Sequence, residues 1–138
     1  MLLKDFYKIT SLENIADSKY QAVIFINAEH DIFKGHFPGN PVTPGVCMMQ
    51  IIKEITESVL NETLTMVRTS NVKFTAIINP EVNSKLVLEI EISENEAFEI
   101  KVKNTILQLQ RYLKVLIIAL LFRLFKAKVD SVFDLFNN

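Results

Sequence analysis

Apolar and polar positions alternate most cleanly between residues 85 and 103. Leu86, Leu88, Ile90 and Ile92 are interleaved with Val87, Glu89 and Glu91, and Phe98, Ile100 and Val102 with Glu99, Lys101 and Lys103. A repeat of two puts one set of side chains on a core face and the other in water, the mark of a half-buried antiparallel strand. It predicts strands over Lys85–Ile92 and Ala97–Thr105, joined by a hairpin turn at Ser93–Glu96. Tyr20–Asn27, rich in β-branched and aromatic residues, predicts an earlier strand, and Thr65–Ile78 another. Between those two, Val46, Met49, Ile52, Ile55 and Val59 recur at spacings of three and four, and Cys47, Met48 and Ile51 widen the same face. The predicted helix runs from about Pro44, a residue suited to the first turn, to Leu60, with Asn61 at its end. So broad an apolar face argues for a helix wrapped by a sheet, not one lying on a surface. Residues 1–10 fit either a short helix or the lead-in to a strand.

Beyond Asn104 the pattern changes. Arg111, Lys114, Arg123, Lys126 and Lys128 come with no acidic residue among them, around the apolar run Val115–Phe122. That run is too short to cross a membrane as a helix, which takes about 20 apolar residues. It reads as a buried closing strand or a terminal helix packed on the sheet. An amphipathic segment for a membrane surface or a partner, or a shifted reading frame after about Thr105, are the alternatives.

With 138 residues, 49% of them hydrophobic and 22% charged, the chain is read as one globular domain over 1–138. A net charge of −1 gives no reason to expect nucleic acid. The single cysteine, Cys47, excludes an internal disulfide and suits a reducing compartment. Two histidines and one cysteine are too few for a dedicated zinc site. The first residues, Met-Leu-Leu-Lys-Asp-Phe, lack the basic start and apolar run of a signal peptide, so the cytoplasm is expected.

Three of the four prolines and all three glycines fall between Gly35 and Gly45. Proline fixes φ and removes a donor, and glycine lets a ligand approach the main chain. The segment is therefore a shaped loop. It holds His36 and runs directly into the helix, whose N-terminus offers free N–H groups and the positive end of the dipole.

The eleven residues from His36 to Val46, His-Phe-Pro-Gly-Asn-Pro-Val-Thr-Pro-Gly-Val, closely resemble the signature of the 3-hydroxyacyl-acyl-carrier-protein dehydratases of bacterial fatty-acid synthesis, in their single-step branch. Asn71–Pro80 resembles the strand that follows the central helix in that family. The likeness covers roughly residues 20 to 103. It implies an α+β hot-dog fold, an antiparallel sheet wrapped around a long central helix. It also implies loss of water from a (3R)-hydroxyacyl thioester on acyl-carrier protein to give a trans-2-enoyl thioester, with no cofactor and no metal. A homodimer, or a larger homo-oligomer, would join His36 of one subunit to the helix residues of the other. Membrane contact is not expected.

In the resembled enzymes the motif histidine is the base, here His36. An ordinary imidazole titrates just below neutral pH and can take a proton in the cytoplasm. The N–H groups at Gly45 and Val46 would face the thioester carbonyl. The family places a Glu or Asp fourteen positions after the histidine, and here that position is Gln50. A carboxamide does not titrate and cannot hand a proton to a leaving hydroxyl, although it can hydrogen-bond that hydroxyl or a water. Glu54, one turn on, could reach the site directly or through water. Its alternative is an exposed helix carboxylate paired with a neighbour such as Lys53. Phe33, Phe37, Met48 and Met49 are candidates to line an acyl channel, or are plain core. Cys47 reads as core and His30 as a surface histidine. The competing functions are a hot-dog thioesterase, for which Glu54 would activate water, and a non-catalytic hot-dog subunit that binds an acyl chain or supports an active partner.

Overall fold

The alternation around residues 85–103 is the centre of a six-stranded antiparallel sheet. The computed structural model describes residues 4–35, 39–74, 77–96, 99–108 and 113–124, with the backbone alone for 70–74, 107–108 and 113–124. Along the chain come β1 (Tyr7–Ala16), β2 (Lys19–Ile26), α1 (Ile32–Gly35), α2 (Gly45–Leu60), β3 (Leu64–Phe74), β4 (Lys85–Glu94), β5 (Glu99–Gln108) and β6 (Leu113–Leu124). The strands lie in the order β1-β2-β4-β5-β6-β3. β3 thus follows α2 in sequence but joins the sheet at the edge opposite β1.

One face of the sheet is apolar and carries α2. Leu86, Leu88, Ile90 and Ile92 of β4 and Ile100, Val102 and Ile106 of β5 form a single buried cluster with Met48, Ile51, Ile52 and Ile55 of the helix. Glu89, Glu91, Lys101 and Lys103 point the other way and are exposed, as the period of two requires. Full burial of an aliphatic side chain is worth about 1.5–3 kcal/mol. These four apolar residues of α2 therefore contribute far more to holding the helix than helix propensity does.

The ends of α2 follow the punctuation in the sequence. Pro44 is the extended N-cap residue, with no side-chain cap. Asn61 ends the helix in the left-handed region at φ 53°, and its N–H donates to the carbonyl of Glu57. In the loop ahead, Gly39 has φ 85°, where a side chain would be strained. The Thr43 N–H donates to the Ile78 carbonyl at 2.8 Å and ties the loop to the segment after β3.

Two open alternatives are decided and one expectation needs correction. Residues 7–10 open a strand and not a helix. β1 is an edge strand whose side chains are mostly exposed, with register shifts at Ile9/Ser11 and Asn14/Ala16. Such a strand has no apolar alternation to read. The apolar run Val115–Phe122 lies in β6, paired to β5 on one side and β3 on the other, so it is an interior strand and not a terminal helix. Val46 does not share the buried face of α2. It is 72% exposed, while the adjacent Cys47 and Met48 are buried. Among the described residues, no helix is long and apolar enough to cross a membrane.

Candidate active site

α2 carries the polar residues of the site on the same helix that supplies the core. Gln50 and Glu54 are one turn apart, so their side chains are neighbours. The Gln50 amide, through Nε2, donates to Glu54 Oε2 at 3.2 Å. Tyr7, from the start of β1, donates its hydroxyl to the other oxygen, Glu54 Oε1, at 3.4 Å. Glu54 is only 9% exposed, so the expectation of a solvent-exposed carboxylate is corrected. Burial needs partners for both oxygens, and β1 and α2 each supply one. The expected pairing of Glu54 with Lys53 is also corrected. Lys53 Nζ lies 3.4 Å from Glu57 Oε1 instead, and Glu57 Oε2 accepts the N–H of Leu64 at 3.1 Å.

Burial pushes the Tyr7 hydroxyl above its ordinary range, and the negative charge of Glu54 and the hydrogen bond to it push in the same direction. Tyr7 therefore stays a neutral donor throughout the physiological range. Tyr7 and Glu54 also line an open groove of about 530 Å³, together with Glu57, Ser58, Asn61 and Glu62. Glu54 thus touches both Gln50 and this solvent-filled groove.

At the other end of the helix, the N–H groups of Cys47 and Met48 donate to the Pro44 carbonyl. Those of Gly45 and Val46 have no hydrogen-bond partner among the described residues, as the first turn of a helix dictates. They are the donors available to an oxyanion or carbonyl. Met49 is partly buried and packs on the core. Met48 and Phe33 are buried core residues, with Phe33 stacked on Phe6 at 5.5 Å, and offer no wall to an open channel. His36 and Phe37 lie outside the described residues. Cys47 is buried and its thiol is pushed up by burial, so it is a core residue.

His30 is more than a surface residue. Its Nδ1 accepts the N–H of Ile32 at 3.1 Å, and its Nε2 lies 3.0 Å from the Lys4 carbonyl. An acceptor role at Nδ1 fixes the tautomer with the proton on Nε2. The ring also meets Phe6 edge-on at 5.2 Å. This histidine holds the start of α1 against the N-terminal segment. Tyr7 is the site residue that sequence reasoning missed. Its partner Glu54 lies 47 positions away, and nothing local to β1 marks the contact.

Residues 11–110 match the family model ApeI-like, described as ApeI dehydratase. The chain belongs to this dehydratase family. Curated proteins offer no match. Among solved structures, the dehydratase heterocomplex ApeI:P from Xenorhabdus doucetiae gives a TM-score of 0.67 at 17% identity, over 84% of this chain and 96% of that one. The HP0420 homologue from Helicobacter felis gives 0.59 at 10% identity, over 83% and 87%. The PaaI protein of the Escherichia coli phenylacetic acid degradation operon gives 0.61 at 9% identity, over 90% and 83%. These likenesses establish the hot-dog fold for the ApeI-like chain, with α2 as the central helix.

Proposed function

We propose that this ApeI-like chain removes water from (3R)-hydroxyacyl thioesters carried on acyl-carrier protein, giving trans-2-enoyl thioesters. The observation that carries the reading is the pair Gln50 and Glu54 on a helix whose N-terminus follows the His36 loop, with Tyr7 of β1 bonded to Glu54, in a member of a dehydratase family. The thioester carbonyl accepts from the N–H groups of Gly45 and Val46, which stabilise the enolate oxygen as charge develops. Phe37 and Met49 border the acyl chain. His36 takes the proton from Cα. Gln50 holds the 3-hydroxyl, and the imidazolium of His36 returns the proton to it. The Cα–H and C3–O bonds break, the double bond forms and water leaves, with no external acid required.

The thioesterase alternative needs Glu54 to activate water. Both of its oxygens already accept from protein donors, which favours the dehydratase reading. The role of an acyl-binding or supporting subunit draws on the missing carboxyl at position 50 and on the relative from Xenorhabdus doucetiae, which is a heterocomplex. In either role the working form is an oligomer, a homodimer or a pair with a second hot-dog subunit, in the cytoplasm.

The test is hydration of a trans-2-enoyl thioester, followed by loss of enoyl absorbance. Wild type should turn over, and His36→Ala should fall by about 10²–10⁴-fold, the usual cost of a lost acid–base group. No rate above buffer on either carrier-protein or coenzyme A substrates would overturn the dehydratase reading and leave the supporting role.

A further inference from the structure

A hydrogen bond from an amide to a carboxylate has only one polarity. A carboxylate accepts and cannot donate, so Gln50 must turn its nitrogen toward Glu54. Its Oε1 then points away from Glu54, and among the described residues no donor is bonded to it. Tyr7 holds the same carboxylate from the opposite side, through an oxygen that Gln50 does not use. Two donors on two different oxygens fix the position of Glu54, and Glu54 fixes the rotation of the amide.

We propose that Tyr7 and Glu54 are positioning residues that present Gln50 to the ligand as a hydrogen-bond acceptor, so that the site selects an acyl chain bearing a hydroxyl donor at C3. The inference rests on the dehydratase reading for the placement of Gln50 beside the acyl chain, and it adds the polarity of that contact. When Gln50 Oε1 accepts the hydrogen of the 3-hydroxyl, the oxygen lone pairs are left free to receive a proton from another direction. A Gln turned the other way would donate to those lone pairs and hinder the departure of water. The same residue type at position 50 is thus productive or obstructive according to what stands at position 54. Tyr7 acts at one remove, because without its hydroxyl Glu54 is restrained from one side only.

The experiment measures binding without turnover. The full chain is titrated with three pantetheine amides of a short acyl chain, namely the (3R)-hydroxy, the 3-fluoro and the 3-deoxy compound. Fluorine is close to hydroxyl in size but cannot donate. Wild type should bind the hydroxy compound about tenfold more tightly than either of the others, the usual scale for leaving one acceptor unpaired. Gln50→Leu should abolish the preference. Glu54→Gln, in which residue 54 can accept or donate, and Tyr7→Phe should each reduce it to about threefold or less while the affinity for the fluoro compound holds. A variant damaged only in its fold would lose all three ligands alike. A tenfold preference that survives in Glu54→Gln and Tyr7→Phe overturns the proposal, as does a wild type that binds hydroxy and fluoro equally or binds none of the three. Failure of the hydration assay with this preference intact would condemn the dehydratase reading and keep the positioning. Hydration by a wild type that shows no preference would do the reverse.

Discussion

Tyr7→Phe removes a single oxygen and leaves the ring packed, which makes it the cleanest probe of how the buried carboxylate is held. The hydroxyl lies 3.4 Å from Glu54 Oε1, longer than the usual range for such a bond. Its worth therefore falls below the roughly 1.5–3 kcal/mol of a short bond to a charged group, at about 1 kcal/mol. Glu54 loses one of two partners at 9% exposure, which adds a comparable desolvation cost. A net destabilisation of about 1–2 kcal/mol at pH 7 is expected, or a Tm lower by roughly 3–6 °C for a domain of this size. The assay is thermal and urea unfolding of wild type, Tyr7→Phe, Glu54→Gln and the double variant at one protein concentration. Their coupling energy should be about 0.5–1.5 kcal/mol. A second arm uses pH. Burial first, and Glu54 second, raise the folded-state pKa of Tyr7 above its unfolded value of about 10. A raised pKa favours the neutral form in the folded state. That contribution is complete below pH 10 and is lost as pH climbs beyond it. Wild type should therefore lose stability more steeply than Tyr7→Phe above pH 10. Tyr20 and Tyr112 are present in both proteins and cancel in the difference. Zero coupling, or parallel alkaline curves, would refute the account of Tyr7 as the donor that holds Glu54.

Two other substitutions test the core. Asn104 of β5 is 1% exposed and neither polar atom of its side chain has a partner among the described residues, so Asn104→Leu should raise the unfolding free energy by about 1–2 kcal/mol, read as a higher urea midpoint. A loss of stability instead would mean that the amide is partnered in solution. Ile55→Ala, at a fully buried position of α2, should cost about 2–5 kcal/mol with little change in the urea m-value. A cost below about 1 kcal/mol would mean that α2 is not packed as described.

The fold was legible where burial is one-sided. Leu86, Leu88, Ile90 and Ile92 alternate with the exposed Glu89 and Glu91 on a strand paired at both edges, and only Val87 on the other face is buried as well. α2 was legible at both ends because Pro44 and Asn61 each impose a backbone geometry that stops a helix. β1 was not, because an exposed edge strand with two register shifts carries no periodic record of its partner. The apolar run of β6 was ambiguous for the opposite reason. An uninterrupted run suits a doubly flanked strand and a buried helix equally, and only the pairing with β3 and β5 decides.

The site divides along the same line. The i, i+4 spacing of Gln50 and Glu54 is local, so their contact could be read from the chain, whereas the partner that buries Glu54 comes from another strand. That difference bears on position 50, where the motif resemblance implies an acid and this chain has Gln. Taken alone, a Gln in place of an acid reads as a lost proton donor. Taken with a buried Glu54 and with Tyr7, it becomes an oriented acceptor, which a lone Gln is not. The carboxyl group has not vanished from the helix. It stands one turn further on, and under the function proposed above it would set the direction of a hydrogen bond instead of supplying a proton, while His36 would carry the proton both ways.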